Sequence, residues 1–138
     1  MVETDVLVID DEAEIRESLQ LFLELDKFSV RTAAHGQEAL QLLEQGLAPS
    51  VVLLDLMMPV MNGVDFLAAI RADSRFSSLP VVIVSACRPM VQELQSRQLV
   101  THGLVPKPVD IEQLMSAIRM VCGRERGLSN GGARKSSD

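Results

Sequence analysis

The stretch VVLLDLMMP, residues 51–59, decides how the rest of this chain is interpreted. Its first four residues are all aliphatic, which is typical of a strand that is buried on both faces of a sheet. Asp55 follows this run directly, so a carboxylate stands where a buried strand ends. A charge in that position indicates either a turn or a functional site, and the surrounding sequence has to distinguish the two.

Short apolar runs like this one alternate with longer segments of helical period. The predicted strands are residues 6–9, 28–33, 51–54, 81–84 and 104–105. The predicted helices are residues 12–25, 36–46, 64–72, 89–99 and 111–122. Strict alternation of strands and helices predicts an α/β fold. We expect a doubly wound, five-stranded parallel sheet in the flavodoxin-like order 2-1-3-4-5, covered by five helices.

The composition indicates one folded domain. The 138 residues are 47% hydrophobic, and no apolar run approaches the roughly 20 residues that a membrane span needs. Cys87 and Cys122 have neither metal-ligand spacing nor the pattern of a disulfide framework, so we expect a cytoplasmic protein. The net charge of −6 argues against direct contact with nucleic acid.

The folded domain is predicted to span residues 1–122. Residues 123–138, GRERGLSNGGARKSSD, lack apolar periodicity and contain four glycines. Such a composition is typical of a disordered tail or linker.

Polar residues follow four of the five predicted strands. Asp10 and Asp11 come after the first strand, Asp55 after the third, Ser85 after the fourth and Lys107 after the fifth. In a doubly wound sheet the carboxyl ends of the strands form the ligand-binding edge, so we expect these side chains to meet there.

Three carboxylates in one place repel each other. A pair of like charges about 4 Å apart costs roughly 4 kcal/mol at an effective dielectric of about 20. Lys107 alone does not offset this, and an all-oxygen site of this kind suits Mg²⁺, or Mn²⁺ in its place. We assign Asp10, Asp11 and Asp55 to the metal.

The same set of residues is suited to phosphoryl transfer. A cation, Ser85 and Lys107 would position a phosphoryl group and stabilise its charge. Asp55 would be the nucleophile, since a carboxylate can form an acyl phosphate. The simpler interpretations are that Asp10 and Asp11 cap the first helix, that Asp55 belongs to a turn and that Lys107 is a surface charge.

The motifs around these residues resemble one family. VLVIDDE carries Asp10 and Asp11, VVLLDLMMPVMNG carries Asp55, VVIVSA carries Ser85, and VPKP carries Lys107. Together they resemble the receiver domain of bacterial two-component response regulators, and the resemblance covers about residues 4–122. Each motif is weak by itself, but four in order at four strand ends are specific.

The resemblance implies a role for each of these residues. Asp55 would be the phosphoacceptor and would take its phosphoryl group from a histidine of a sensor kinase or phosphotransfer protein. Asp11 would bind Mg²⁺ directly and Asp10 mainly through water, with the backbone carbonyl of Met57 as a further ligand. Ser85 would hydrogen-bond the phosphoryl group.

Lys107 would pair with the phosphoryl group, and the Lys107–Pro108 peptide bond would be cis. The chain would catalyse only its own phosphorylation and dephosphorylation, and would otherwise not be an enzyme.

Partners are implied in the same way. The signal would pass to a downstream protein or a fused output domain, without contact to nucleic acid or a membrane. A stand-alone receiver would dock through the face formed by the fourth helix, fifth strand and fifth helix. The chain would be a stand-alone receiver or a piece of a longer regulator, and either a monomer or a phosphorylation-linked dimer.

Three positions depart from the pattern or qualify it. Leu104 stands where receivers usually carry Tyr or Phe, so the usual aromatic switch is missing. Met57 and Cys87 occupy the positions that tune phosphoryl lifetime in the family, and neither side chain activates water well. We therefore expect a longer-lived phosphoryl group than in fast chemotaxis-type receivers. His35 and His102 have no partner at ligand spacing and are predicted to be ordinary surface residues.

Three other functions compete with this one. A phosphatase of the haloacid dehalogenase type needs an Asp two residues after the nucleophile, where this chain has Met57. A flavin- or nucleotide-binding protein needs a phosphate-binding loop after the first strand, where DDEAE would repel phosphate. The third alternative is a degenerate receiver that binds partners without phosphorylation. Leu104 favours it, whereas the intact acidic residues and Lys107 argue against it.

Overall fold

The computed structural model describes residues 2–122, so the predicted tail at 123–138 lies outside the described residues. The strands are β1 Val2–Ile9, β2 Val30–Ala33, β3 Leu47–Leu54, β4 Val81–Ser85 and β5 Gly103–Pro106. The helices are α1 Ala13–Leu25, α2 Gly36–Glu44, α3 Gly63–Arg71, α4 Arg88–Ser96 and α5 Ile111–Cys122. The five strands pair in parallel in the order β2-β1-β3-β4-β5, which confirms the predicted doubly wound α/β fold.

The sheet is buried on both faces, as its aliphatic strands predict. On one face the strand residues pack with α2, α3 and α4, around Phe66 and Leu67, which are fully buried. On the other face they pack with α1 and α5, around Leu23 and Ile118. Alternate residues of each strand therefore serve different layers, and the strand backbones are held from both sides. Among residues 2–122, no helix is both long and apolar enough to cross a membrane.

Strand β3 begins earlier than residue 51, the predicted start. Its first half pairs with β1, with Thr4 opposite Pro49, whereas its pairing with β4 begins only at Val52. Pro49 has no N–H to donate, and proline is tolerated where a strand has a single neighbour. The proline at 49 hid this half of the strand from the sequence prediction.

Two helices end on residues with positive φ that are not glycine. Lys27 follows α1 with φ 74°, and Gln98 follows α4 with φ 56°. A left-handed residue after the last turn is a common way to end a helix, although glycine is the usual choice. The fourth helix therefore ends at Ser96, three residues before the predicted end at residue 99.

Helix α3 begins unusually close to the end of β3. A Cβ atom on Gly63 would lie 2.5 Å from the carbonyl oxygen of Asp55 and 2.7 Å from the Cα of Leu56. The Gly63 N–H donates to the Leu56 carbonyl at 2.9 Å. Gly63 thus allows the helix to close directly against the strand end that carries Asp55.

We expect Gly63→Ala to lower the free energy of unfolding by about 2 kcal/mol or more, because the added methyl group meets backbone atoms that cannot move aside. Gly103→Ala is the matched control. Its Cβ would lie 3.6 Å from a Val82 methyl group, an ordinary contact, and it should change stability by less than about 1 kcal/mol. Urea denaturation followed by far-UV circular dichroism compares the two. Equal stabilities would show that the close approach at Gly63 has no energetic importance.

Candidate functional site

The four strand ends meet at one edge of the sheet, as the sequence predicted. Asp10 follows β1 and Asp55 follows β3, and the last residues of these strands, Ile9 and Leu54, are register partners. The Asp55 N–H donates to the Ile9 carbonyl at 3.0 Å, which fixes the two strand ends to each other. Ser85 closes β4 beside β5, and Lys107 follows β5.

Asp10, Asp11 and Asp55 form an acidic cluster. Each offers one carboxylate oxygen, and these oxygens all lie within 4.8 Å of one another. Asp10 is 2% exposed and Asp55 is 5% exposed, whereas Asp11 lies at the solvent side. The cluster is therefore two buried carboxylates with a third at the entrance, an arrangement of hard oxygen donors that fits a divalent cation.

Lys107 supplies the positive charge inside this site. Its ammonium lies 2.9 Å from Asp10 Oδ2, 3.6 Å from Asp55 Oδ2 and 3.4 Å from Glu12 Oε1. Burial by itself lowers the pKa of Lys107, but the hydrogen bond and charge of Asp10, with the charge of Asp55, outweigh burial and raise that pKa. The side chain therefore stays protonated and bridges the acids of the first and third strands.

One lysine does not balance the acids. Burial, and next the charge of Asp10, raise the pKa of Asp55 from 3.8 to about 6, although Lys107 and the Met57 N–H pull it down. The Met57 N–H donates to Asp55 Oδ1 at 3.2 Å. A carboxylate whose ionised form is disfavoured in this way gains from further positive charge. The donor set and its charge thus fit a divalent cation.

Asp10 makes hydrogen bonds through its backbone N–H and through both of its carboxylate oxygens. Its Oδ1 accepts the Glu12 N–H at 2.9 Å, its Oδ2 accepts from Lys107, and its N–H donates to the Ala33 carbonyl at 3.1 Å. The residue that caps α1 is Glu12, and its side chain makes no capping hydrogen bond. The structure therefore does not support the simpler interpretation of Asp10 as a helix cap, since its carboxylate faces the cluster.

Ser85 and Lys107 line a cleft between α4 and β5. The Ser85 Oγ accepts the Cys87 N–H at 3.0 Å, and the Ser85 carbonyl accepts the Lys107 N–H at 3.2 Å. The cleft has a volume of about 490 Å³, and Leu104 and Val91 form part of its apolar wall. Leu104 is 50% exposed, so its side chain covers the cleft only partly. The Lys107–Pro108 peptide bond is cis, as expected.

The loop between β3 and α3 presents apolar side chains beside the acidic cluster. Met57 is 60% exposed, and Val60 is more exposed still. Val60 has φ 68°, and the Met61 N–H donates to the Pro59 carbonyl at 2.7 Å, which together describe a γ-turn. A β-branched residue with positive φ is strained, so the loop holds its shape against a local preference. Asn62 then caps α3 by accepting the Asp65 N–H.

Sequence reasoning missed contacts that involve backbone atoms. Arg16 Nη1 donates to the Asp10 carbonyl at 2.6 Å. The prediction for the two histidines was incomplete, because each ring accepts a backbone hydrogen bond: His35 from Glu38 at the start of α2, and His102 from Val81 at the start of β4. Histidine rings that accept backbone hydrogen bonds leave no spacing pattern in the sequence. Arg16 did leave a signal, because it is a basic residue about one helical turn after the acidic loop at residues 10–12.

The fold and the acidic edge place this chain in the class of flavodoxin-like α/β domains with a carboxylate site. Comparison with known proteins identifies the family within this class. The family model for the response regulator receiver domain matches residues 6–119. Response regulator Rre1 of Synechocystis sp. is 37% identical over 129 residues, which are 93% of this chain and 55% of that protein. The CpxR homolog of Haemophilus influenzae is 35% identical over 125 residues, 91% of this chain and 53% of that protein.

A solved structure of a receiver protein has the same fold. The response regulator receiver protein of Pseudomonas putida superposes with a TM-score of 0.78 at 28% identity, covering 87% of this chain and 98% of that one. The chain belongs to the response regulator receiver domain family of two-component systems. It spans about half the length of the curated relatives it matches. These matches favour a receiver over the phosphatase and flavin-binding alternatives, and they do not favour a degenerate receiver.

The charge imbalance at Asp55 predicts the effect of removing its charge. The pKa of Asp55 is higher in the folded state, so ionisation opposes folding: stability falls as pH rises from about 4 to about 6, and the penalty is complete above that range. In the presence of a chelator, Asp55→Asn should therefore stabilise the domain by about 1–3 kcal/mol at pH 7.5, with the difference vanishing towards pH 4.

Glu17→Gln, which removes one exposed carboxylate of α1, is the control and should change stability little at either pH. Urea unfolding at the two pH values measures all three proteins. An Asp55→Asn variant that is less stable than the wild type at pH 7.5 would contradict the charge argument.

Proposed function

We propose that this receiver domain accepts a phosphoryl group on Asp55 and changes a binding surface in response. The observation that carries the proposal is the position of Asp55, which is buried within 4.8 Å of two other carboxylates and 3.6 Å from the Lys107 ammonium. A buried charged residue is often no more stabilising than an apolar residue of similar volume, so stability alone does not account for a buried acid among acids. Such an acid has a chemical use if an anionic group has to be bonded and held there.

The proposed reaction is a displacement at phosphorus. A carboxylate oxygen of Asp55 forms a bond to the phosphorus atom while the bond from phosphorus to the donor histidine nitrogen breaks. The electron pair of the broken bond stays on the imidazole. The product is an acyl phosphate on Asp55. On this proposal the chain acts on no separate substrate and catalyses only its own phosphorylation and hydrolysis.

The acidic cluster would hold Mg²⁺, or Mn²⁺ in its place. Asp11 would bind the ion directly, Asp10 mainly through water, and Asp55 and the Met57 carbonyl would complete the protein ligands. When bound, the ion supplies charge stabilisation for the transferring phosphoryl group. Its charge would also oppose the two main causes, burial and next the charge of Asp10, that raise the pKa of Asp55.

Lys107 and Ser85 would bind the phosphoryl group once it is attached to Asp55. The Lys107 ammonium lies 2.9 Å from Asp10 and 3.6 Å from Asp55, and it would donate to a phosphoryl oxygen on Asp55. Ser85 lines the same cleft, and its hydroxyl would donate to a phosphoryl oxygen. The Lys107 N–H donates to the Ser85 carbonyl, which holds the ends of β4 and β5 side by side.

The partners of receiver domains are histidine kinases and output domains. For this chain, we propose a sensor kinase or a histidine phosphotransfer protein as the donor. The curated relatives are about twice as long, and one of them is called a transcriptional regulatory protein, so a fused output domain or a separate downstream protein is the proposed receiver of the signal. The cytoplasmic location and the docking face on α4, β5 and α5 stay predictions.

Phosphorylation is tested with a small phosphodonor. Incubation with acetyl phosphate and Mg²⁺ should add the mass of one phosphoryl group, measured by intact-mass spectrometry, and chelation of the metal should prevent the addition. Asp55→Asn should remain unmodified, because the nucleophile is lost. Asp65→Asn is the control. It removes an exposed acid in the first turn of α3, after the loop that follows Asp55, and should be modified like the wild type.

Each other outcome is informative. An adduct on Asp55→Asn would place the acceptor elsewhere. No adduct on the wild type, with or without Mg²⁺, would favour the degenerate receiver that binds partners unmodified.

The lifetime of the phosphoryl group tests the roles of Met57 and Cys87. The exposed Met57 thioether and the half-buried Cys87 thiol offer an attacking water no good hydrogen-bond partner, so hydrolysis should be slow. We expect a half-life of minutes or longer, followed by intact mass after removal of the donor. Met57→Asn should shorten it, whereas Val60→Asn, which adds the same amide to the same loop, should not. A half-life of only seconds for the wild type would contradict the expectation.

A further inference from the structure

Arg16 is a cation beside the site that the proposed reaction does not use. It lies on α1, half-buried, and its Nη1 donates to the carbonyl oxygen of Asp10 at 2.6 Å. That carbonyl belongs to the peptide group that joins Asp10 to Asp11. The described contact of the guanidinium is thus with the backbone between two acids, and not with a carboxylate.

The two acids on either side of this peptide are held very differently. Asp10 is fixed by its N–H and by both carboxylate oxygens, independently of Arg16. Asp11 is exposed, and within residues 2–122 its carboxylate makes no hydrogen bond or ion pair. The direction in which Asp11 points is therefore set by its own backbone, and the Asp10 carbonyl is the part of that backbone that Arg16 holds.

We propose that Arg16 is a positioning residue that fixes the Asp10–Asp11 peptide group and so keeps the Asp11 carboxylate in the acidic cluster for a divalent cation. This rests on the proposed function, in which the cluster binds Mg²⁺. A hydrogen bond from a charged donor is stronger than one between neutral groups, which suits it to this task. Loss of a residue that orients a metal ligand typically lowers metal affinity about 10- to 100-fold.

The sign of the effect separates positioning from simple electrostatics. Arg16 is positive, so its charge repels a divalent cation. If charge alone mattered, replacing Arg16 by a neutral residue would strengthen metal binding. Positioning predicts the opposite, because the neutral residue releases the peptide group and Asp11 with it.

The test is a titration with Mn²⁺ alone, followed by the loss of the electron paramagnetic resonance signal of the free ion. Arg16→Met should raise the Kd for Mn²⁺ at least about tenfold, and Arg16→Lys should recover most of the affinity, since it restores a charged donor. Arg31→Met, which removes an exposed cation from β2 and changes the net charge equally, should stay within about twofold of the wild type.

A second readout separates metal affinity from chemistry. With acetyl phosphate, Arg16→Met should need at least about tenfold more Mg²⁺ for half-maximal phosphorylation, yet should reach the wild-type rate at saturating Mg²⁺. A general disturbance of the fold would lower the saturated rate as well. If Arg16→Met does not fold, Arg16→Ala, which likewise has no donor for the Asp10 carbonyl, takes its place in both measurements.

The failures are distinguishable. Arg16→Met that binds Mn²⁺ as well as or better than the wild type overturns the positioning role, provided that Asp11→Asn weakens binding. Weakened binding that Arg16→Lys does not recover also overturns it. A wild type that binds Mn²⁺ no better than Asp11→Asn overturns the proposed metal site itself, and the role of Arg16 with it.

Discussion

Repulsion among carboxylates at one edge of the sheet is the constraint on which the rest of this structure depends. Asp10 and Asp55 cannot move apart, because the hydrogen bond from the Asp55 N–H to the Ile9 carbonyl ties their strand ends together. Lys107 neutralises part of the charge, yet burial, and next the charge of Asp10, still raise the pKa of Asp55 to about 6. Added positive charge would therefore stabilise the ionised form of these acids in the folded domain.

Holding charges in this state requires a rigid frame. Strand β1 is paired along most of its length with β3, and both are covered on two faces, so their ends are fixed by the core as well as by local contacts. Gly63 then brings α3 against the end of β3 without a side chain between them. The strained turn at Val60 lies between these two fixed points. Stability in the core thus offsets unfavourable charge and backbone geometry at the edge.

The sequence was sufficient for the fold and for the placement of these polar residues at one edge of the sheet, because both follow from topology. A parallel sheet brings the carboxyl ends of its strands together, so Asp10, Asp55, Ser85 and Lys107 could be placed from their order alone. What could not be predicted depends on contacts with the backbone. The hydrogen bond from Arg16 to the Asp10 carbonyl has no motif, and neither do the rings of His35 and His102 as acceptors. The first half of β3 was not predicted because it contains Pro49. That this half pairs with β1 alone, which makes the proline tolerable, depends on the tertiary structure.

Leu104 bears on the read-out under the proposed function. On β5 it is half-exposed and lines the cleft that Ser85 and Lys107 also line. A leucine has no ring that could turn from solvent into the cleft, and its flexible side chain fills less volume. None of the described residues that line the cleft between α4 and β5 is aromatic. Under the proposed function, a read-out at this cleft would therefore have to use a change in the shape of the cleft, because no aromatic side chain in its wall could change position.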